Sequence, residues 1–172
     1  AHRTVSGEWI HTVPGKLTVG PTVPGGSRAA SERIAAVFEG TEYGAVVTND
    51  IHRAAWSKLV TNGSFNSLCS LTGARQIDVA RDKTLGECAL CIMREIETLA
   101  RACGSGIDGV IQKYFDQAYN KGAHKPSTLH DFEAGRPVEL AAFVDAPLEI
   151  AMPRGVAMPT LELIGAAVRL KA

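Results

Sequence analysis

The sequence is short of the features that mark several common classes of protein. Its 18 Lys and Arg balance 18 Asp and Glu, so no basic excess points to nucleic acid and no acidic tail is present. No apolar run approaches the roughly 18 residues that a membrane-spanning helix needs. The first residues lack the apolar core of a signal peptide. A starting methionine is missing as well, so we expect a piece of a longer chain.

Cysteine is sparse, and its spacing does not indicate a metal site. Cys88 and Cys91 form a C-x-x-C, but it falls inside a predicted helix, no second C-x-x-C follows, and no histidine stands at metal-ligand spacing. We therefore assign no metal. The four cysteines are interpreted as small buried thiols of a reduced, cytoplasmic protein: Cys69, Cys88, Cys91 and Cys103.

One stretch, residues 50–73, stands out from the rest of the chain. It has no proline and carries apolar and small residues throughout, which predicts one helix. It has no charged residue from 59 to 74, so most of its circumference must be buried. A single cation, Lys58, precedes that span, and Asn62 and Asn66 follow it four and eight residues later.

Spacing of four places these three side chains on nearly one face, with a drift of roughly 40° per step. A buried lysine is costly unless its charge is paired or its pKa is lowered so that it can exchange a proton. The two amides offer donors and acceptors to a small polyoxygenated molecule. The alternative is a snorkelling Lys58 with Asn62 and Asn66 bonded to neighbouring helices, and the residues alone leave both interpretations open.

The first 48 residues have few large apolar side chains, too few to hold a core alone. We therefore expect the edge of a sheet whose other strands lie outside this sequence. Pro14-Gly15 predicts the turn of a hairpin between two strands. The predicted β-β-α-β order comprises strands at 8–13 and 16–20, a helix at 27–38 and a strand at 44–48.

From residue 50 onward the pattern is helical, which makes the fold class mainly α. The helix at 83–103 is amphipathic, with charges such as Glu95 expected on its outer faces. Residues 77–81 read as the start of a connection. Further helices are predicted at 110–119, at 126–135, from 139 to about 152, and at 160–170.

A second polar stretch runs from Pro126 to Glu139. Proline and serine open its short helix and Gly135 closes it. Asp131 is interpreted as a cap or ion-pair partner, and Glu139 taken alone as an acid favoured by the dipole of the helix it begins. Among the five histidines we take only His124, just before this stretch, as near the candidate site, and its role stays open.

Three motifs occur in order: Trp56-x-Lys58-Leu59-x-x-Asn62-x-x-x-Asn66, then Leu71-Thr72-Gly73, then Pro126-Ser127-x-x-x-Asp131-x-x-x-Gly135-Arg136-x-x-Glu139. With them, the chain resembles the 2-dehydropantoate 2-reductase (ketopantoate reductase) family over essentially its whole length. The resemblance implies an all-helical C-terminal domain of the 6-phosphogluconate-dehydrogenase-like type at 49–172. Residues 1–48 are then the C-terminal edge of an incomplete nucleotide-binding (Rossmann) domain. The phosphate loop is expected upstream, and no G-x-G-x-x-G pattern is expected in this chain.

The resemblance also implies roles. Lys58 matches the catalytic lysine that protonates the substrate carbonyl oxygen as hydride arrives from NADPH, and Glu139 matches a catalytic acid that contacts the substrate. Asn62, Asn66 and Ser127 match substrate-binding residues, with Ser127 holding the carboxylate. The implied substrate is ketopantoate or a related 2-oxo acid, in pantothenate biosynthesis.

This chain departs from the family pattern at several positions. Thr128 stands where the family usually has methionine, Leu140-Ala141 stands where Ile-Asp is common, and His124 stands where an asparagine is usual. These changes are compatible with reductase chemistry and leave open whether the substrate is ketopantoate or a related 2-oxo acid.

Two other functions remain open. A β-hydroxyacid dehydrogenase also places lysine and asparagine four apart on a helix, although the stretch around Ser127 favours the ketopantoate type. A non-catalytic helical module could dimerise or bind a small acid without cofactor. We expect the isolated chain to be inactive, and a homodimer through the helical domain is compatible with the amphipathic helix at 83–103.

Overall fold

A computed structural model describes residues 2–3, 7, 9–10, 15–23, 25–120 and 125–171. The chain forms two compact units, Ala1–Ala54 and Ala55–Ala172. The predicted division after residue 48 lies within the first of them, ahead of a helix that begins at Ile51.

The first unit contains two separate pairs of short strands among its described residues. Its elements are β1 (His2–Arg3), β2 (Trp9–Ile10), β3 (Leu17–Val19), α1 (Ala29–Ala36) and β4 (Ala45–Val47). β1 pairs with β2 in antiparallel fashion, and β3 pairs with β4 in parallel, with Leu17 opposite Ala45 and Val19 opposite Val47.

The described strands on either side of Pro14-Gly15 do not pair with each other as the predicted hairpin requires, and residues 11–14, which include Pro14 of its turn, lie outside the described residues. Within the described residues, the strand before this turn pairs with β1 and the strand after it pairs with β4. A proline-glycine pair signals a turn but does not choose the partner of the next strand. Here β3 finds its partner beyond α1, because parallel strands need a crossover connection and α1 provides it.

The apolar side predicted for α1 is largely uncovered. Ile34 is 47% exposed and Val37, at the end of the helix, is 75% exposed. On the strands, Leu17 and Val46 are also exposed. This unit therefore buries few large side chains, as its composition predicts.

The second unit is entirely helical in its described residues, which confirms the mainly α fold. Its elements are α2 (Ile51–Thr61, begun in the first unit), π1 (Asn62–Asn66), α3 (Ser67–Thr72), α4 (Gln76–Arg81), α5 (Lys83–Ala102), α6 (Val110–Asn120), α7 (Ser127–Glu133), π2 (Ala141–Asp145), α8 (Ala146–Ala151), a 3₁₀ turn (Met152–Arg154) and α9 (Pro159–Lys171). Residues 77–81, expected to begin a connection, belong to α4. None of the helices in the described ranges has both the length and the apolar character to cross a bilayer.

The core of this unit is built around α5. Ile92, Ile96 and Leu99 recur at the predicted spacing and are fully buried. Around α5 pack α4, α6, α8, α9 and π1. Burial of each such side chain stabilises the fold by about 1.5–3 kcal/mol.

Glu95 departs from the prediction that it lies on an outer face of α5. Its Oε1 accepts a hydrogen bond from the backbone N–H of Thr160 at 2.9 Å, and its Oε2 accepts one from Leu161 at 3.0 Å. These are donors of the first turn of α9, which no intrahelical carbonyl can satisfy. The carboxylate caps a helix 65 residues away in sequence, which local pattern analysis does not detect.

Lys171 holds the other end of α9. Its Nζ donates to the carbonyl oxygens of Ser70 at 3.0 Å and Leu71 at 2.7 Å, at the end of α3. The same ammonium lies 4.9 Å from the ring centroid of Phe132 in α7. One cation thus joins α9 to both α3 and α7.

We predict that Glu95→Ala lowers the free energy of unfolding by about 2 kcal/mol, because two buried N–H groups lose their acceptor. Glu95→Gln should lose less, since its amide oxygen can still accept from one of them. Glu87→Ala, an exposed position on the same helix, is the matched control. Urea unfolding would measure all three, and equal losses in Glu95→Ala and Glu87→Ala would contradict the cap.

Candidate active site

The helical run that carries the first polar motif changes its hydrogen bonding in the middle. It extends from Ile51 to Thr72 and ends at Gly73, as predicted, but Asn62–Asn66 form a π-helix rather than an α-helix. The hydroxyl of Ser64 donates to the carbonyl of Val60 at 2.6 Å within this segment. Such π turns interrupt α-helices frequently at functional sites.

The two amides of the motif, Asn62 and Asn66, are the first and last residues of this π-helix, whose i to i+5 hydrogen bonds widen the turn relative to an α-helix. The sequence signal for this is the Gly63-Ser64 pair, since Gly/Ser pairs and serine back-bonding perturb helices.

Gly63 explains why the turn can sit so deep in the unit. A Cβ placed there would lie 2.6 Å from Ile96 Cδ1 of α5 and 3.4 Å from the carbonyl oxygen of Phe143 in π2. The backbone of π1 thus packs directly on α5 and on a second π-helix. This close approach sets the position of the asparagines on either side of Gly63.

The first two residues of the predicted stripe face outward. Lys58 is exposed and Asn62 is half-buried. Within the part of the chain that the structure describes, neither side chain has a hydrogen bond or an ion pair. The expectation of a buried Lys58 is not met in this unit, and both groups are left available to a ligand.

The third residue of the stripe connects the two polar motifs. Asn66 Nδ2 donates a hydrogen bond to Thr128 Oγ1 at 3.0 Å. Both residues are 8% exposed. Thr128 follows Ser127, the first residue of α7, so the motif on the long helix and the motif 62 residues later lie in contact.

Ser127 and Glu139 are both exposed. Ser127 is the first residue of α7, and the N-cap position before it is occupied by Pro126, so the Ser127 side chain does not cap the helix. Glu139 lies two residues before π2 and makes no ion pair with Lys58, judged over the described residues. The substrate-binding and catalytic roles of these side chains stay predictions, and His124 lies outside the described residues.

Two ion pairs brace α7. Asp131 pairs with Arg136 at 2.7 Å, which confirms its interpretation as an ion-pair partner. Lys125 pairs with Glu133 at 2.6 Å. Such exposed pairs contribute up to about 1 kcal/mol each, so their effect is to orient the short helix more than to stabilise the unit.

The expectation that this chain holds no phosphate-loop pattern needs a correction. Gly104-Ser105-Gly106-Ile107-Asp108-Gly109 does have the spacing G-x-G-x-x-G. In the structure it connects α5 to α6, so it follows a helix and lacks the preceding strand of a dinucleotide site. Gly104 and Gly109 have φ of 79° and 77°, which accounts for glycine at both turns.

The thiols differ from the prediction that all are buried. Burial, with a smaller contribution from nearby Asp78, raises the pKa of Cys69 to about 12. Burial and then the neighbouring Cys91 raise the pKa of Cys88, whereas Cys91 itself is exposed. Over the described ranges, no three His, Cys, Asp or Glu side chains cluster as metal ligands would.

Comparison with known protein families finds a match that covers most of this chain. Residues 50–172 match the family described as ketopantoate reductase PanE/ApbA C terminal. The chain belongs to the ketopantoate reductase family. The resemblance inferred from Lys58, Asn62, Asn66 and the Ser127 stretch is thereby confirmed, together with the all-helical C-terminal fold.

Individual members of the ketopantoate reductase family match over most of this chain. It is 32% identical over 125 residues to a 2-dehydropantoate 2-reductase of Mesorhizobium japonicum, covering 73% of this chain and 38% of that protein. A 2-dehydropantoate 2-reductase of Nostoc is 26% identical over 166 residues, which cover 93% of this chain and 52% of that protein. The crystal structure of the Methylococcus capsulatus enzyme superposes with a TM-score of 0.88 at 32% identity, over 98% of this chain and 54% of that one. The chain thus spans about half the length of these relatives, or less.

We predict that Gly63→Ala destabilises the protein by up to about 2 kcal/mol, because the new methyl group overlaps Ile96 Cδ1 in a buried contact at a cost of about 1–3 kcal/mol. The better helix propensity of alanine offsets about 1 kcal/mol of that cost. A double-mutant cycle with Ile96→Val, which removes Cδ1, tests the contact. Urea unfolding would measure the free energy of unfolding of the wild type, the two single variants and the double variant. Gly63→Ala should cost clearly less in the Ile96→Val background, and strict additivity would contradict the contact.

We also predict that the thiols react unequally with Ellman's reagent at pH 8. Cys91 should react within minutes, and Cys69 only when the protein unfolds, because its raised pKa and burial leave almost no accessible thiolate. Cys91→Ser should remove the fast phase. Rapid modification of Cys69 in the folded Cys91→Ser protein would contradict this arrangement.

Proposed function

We propose that this chain is the substrate-binding, C-terminal part of an NADPH-dependent reductase that converts a 2-oxo acid, ketopantoate or a related acid, to the 2-hydroxy acid. Lys58 is the general acid of this reaction. Asn62, Asn66 and Ser127 bind the substrate, with Ser127 at its carboxylate, and Glu139 contacts the substrate.

The observation that carries the proposal is the hydrogen bond from Asn66 to Thr128. It brings the two polar motifs together although they are 62 residues apart in sequence. Membership of the ketopantoate reductase family supports the same chemistry.

The exposure of Lys58 suits its proposed role. Reduction of a 2-oxo acid by hydride from NADPH develops negative charge on the carbonyl oxygen. An ammonium without an internal partner among the described residues can approach that oxygen, stabilise the charge and supply the proton. The neutral amide of Asn62, one turn away, can hydrogen-bond the same small ligand without competing for the proton.

The described residues do not themselves offer a phosphate loop for the cofactor, since the glycine pattern at Gly104–Gly109 follows a helix. We therefore assign NADPH to the longer protein and no step of it to residues of this chain. Residues 1–48 are proposed to be the C-terminal edge of its nucleotide-binding domain. The parallel β3–α1–β4 unit and the exposed Ile34 and Val37 support this, because such an edge needs further strands and helices to cover it.

We predict that Lys58→Met lowers kcat for NADPH oxidation by about 10²–10⁴-fold in the full-length protein, because the proton donor is lost while the aliphatic stem is kept. The assay would use a panel of 2-oxo acids that includes ketopantoate. Lys83→Met, at another exposed lysine, is the control and should retain activity. Equal activity of the two variants would contradict the role of Lys58.

The 172-residue chain by itself is a second arm of this experiment. We expect no NADPH oxidation from it with any acid of the panel, because the hydride donor has no complete site. Robust turnover by the isolated chain would show that the cofactor binds within these residues. It would contradict the proposal that NADPH binds to another part of the longer protein.

A further inference from the structure

Thr128 has an uncommon position for a polar side chain in this unit. It is 8% exposed, in the first turn of α7, and its hydroxyl oxygen accepts the hydrogen bond from Asn66 Nδ2. Most other side-chain bonds in the described residues are exposed or run to nearby backbone, as those of Ser64 and Thr72 do. This one joins two buried side chains from helices far apart in sequence, so it constrains tertiary structure.

The bond also constrains the Asn66 amide. The hydrogen bond from Nδ2 to Thr128 restricts rotation about the last side-chain torsion of Asn66. Its Oδ1 accepts no hydrogen bond from the described residues. It is not among the unpaired polar atoms sealed from solvent there, which are Ser67 Oγ and Ser70 Oγ. The amide thus has one end anchored in the protein and the other accessible.

We infer that Thr128 is a positioning residue, whose hydroxyl holds the Asn66 amide in the orientation that the substrate meets and keeps α7, with Ser127, at a fixed distance from π1. This inference rests on the proposed function. Threonine at this position supplies a hydroxyl acceptor, whereas the methionine expected there from the family resemblance would offer only a weakly accepting thioether.

The short length of α7 explains why an anchor matters. Seven residues make a marginal helix, and apart from the buried side chain of Leu129 its other attachments are exposed ion pairs and the contact of Phe132 with Lys171. Losing the Thr128 hydroxyl leaves a buried amide donor unpaired. Both Asn66 and Ser127 would then sample more orientations, and a substrate would have to select the productive one.

The first test uses the ¹⁵N-labelled 172-residue chain and needs no activity. The side-chain NH₂ pair of Asn66, identified by its absence in Asn66→Ala, should show slow proton exchange in the wild type. Thr128→Val should abolish that protection, and Thr128→Ser, which keeps the hydroxyl, should retain it. Protection that survives in Thr128→Val would overturn the anchor whatever the protein catalyses.

The second test measures kcat/KM for the best 2-oxo acid in the full-length protein. Thr128→Val should lose roughly ten-fold or more, and Thr128→Ser should recover most of it. Thr98→Val, at an exposed threonine of α5, controls for the substitution itself. Wild-type kcat/KM in a folded Thr128→Val protein would contradict the positioning role.

A double-mutant cycle separates positioning from general packing. If Thr128 acts through Asn66, Thr128→Val should have little further effect on kcat/KM in an Asn66→Ala background. Full additivity would show that Thr128 acts independently of Asn66 and would overturn the inference. Failure of the proposed function can be distinguished from failure of this inference. If the proposed function is wrong, Lys58→Met will not lower activity, and the exchange measurement on Asn66 still tests the hydrogen bond independently of activity.

Discussion

The structure of the helical unit depends on the close contact at Gly63. There the backbone of π1 meets Ile96 of α5 on one side and the carbonyl of Phe143 in π2 on the other. A second close approach, Gly165 of α9 against Val144 of π2, holds π2 from its other side. Because interiors are close-packed, these contacts leave no room for adjustment. The asparagines of π1 therefore flank a backbone segment that is closely packed against α5 and π2.

Local sequence pattern predicted much of this fold. The helices at 83–103, 110–119 and 160–170 were recognisable because three- and four-residue spacing reflects the geometry of one helix, and the observed bounds lie within one residue of those predicted. Gly73 ends its helix in the left-handed conformation, which glycine adopts most easily. Such signals need no knowledge of the tertiary structure.

The failures share a different cause, since each depends on residues distant in sequence. Glu95 caps α9, and β3 pairs beyond α1, through contacts that no local window contains. Gly104–Gly109 has the spacing of a phosphate loop but forms the turn between α5 and α6, because a motif has meaning only in its structural context. At the site, the spacing of Lys58, Asn62 and Asn66 could be recognised in the sequence. The π-helix and the hydrogen bond from Asn66 to Thr128 could not be predicted from it.

The central claim is that two motifs form one site for a 2-oxo acid. It is tested most directly by titrating the ¹⁵N-labelled chain with ketopantoate and related 2-oxo acids and following its amide resonances. The account predicts that the side-chain amides of Asn62 and Asn66 and the backbone amide of Ser127 shift together on one binding curve. The response should weaken in Lys58→Met but not in Lys83→Met. Shifts confined to one motif, or no shift at these residues at tens of millimolar acid, would contradict it.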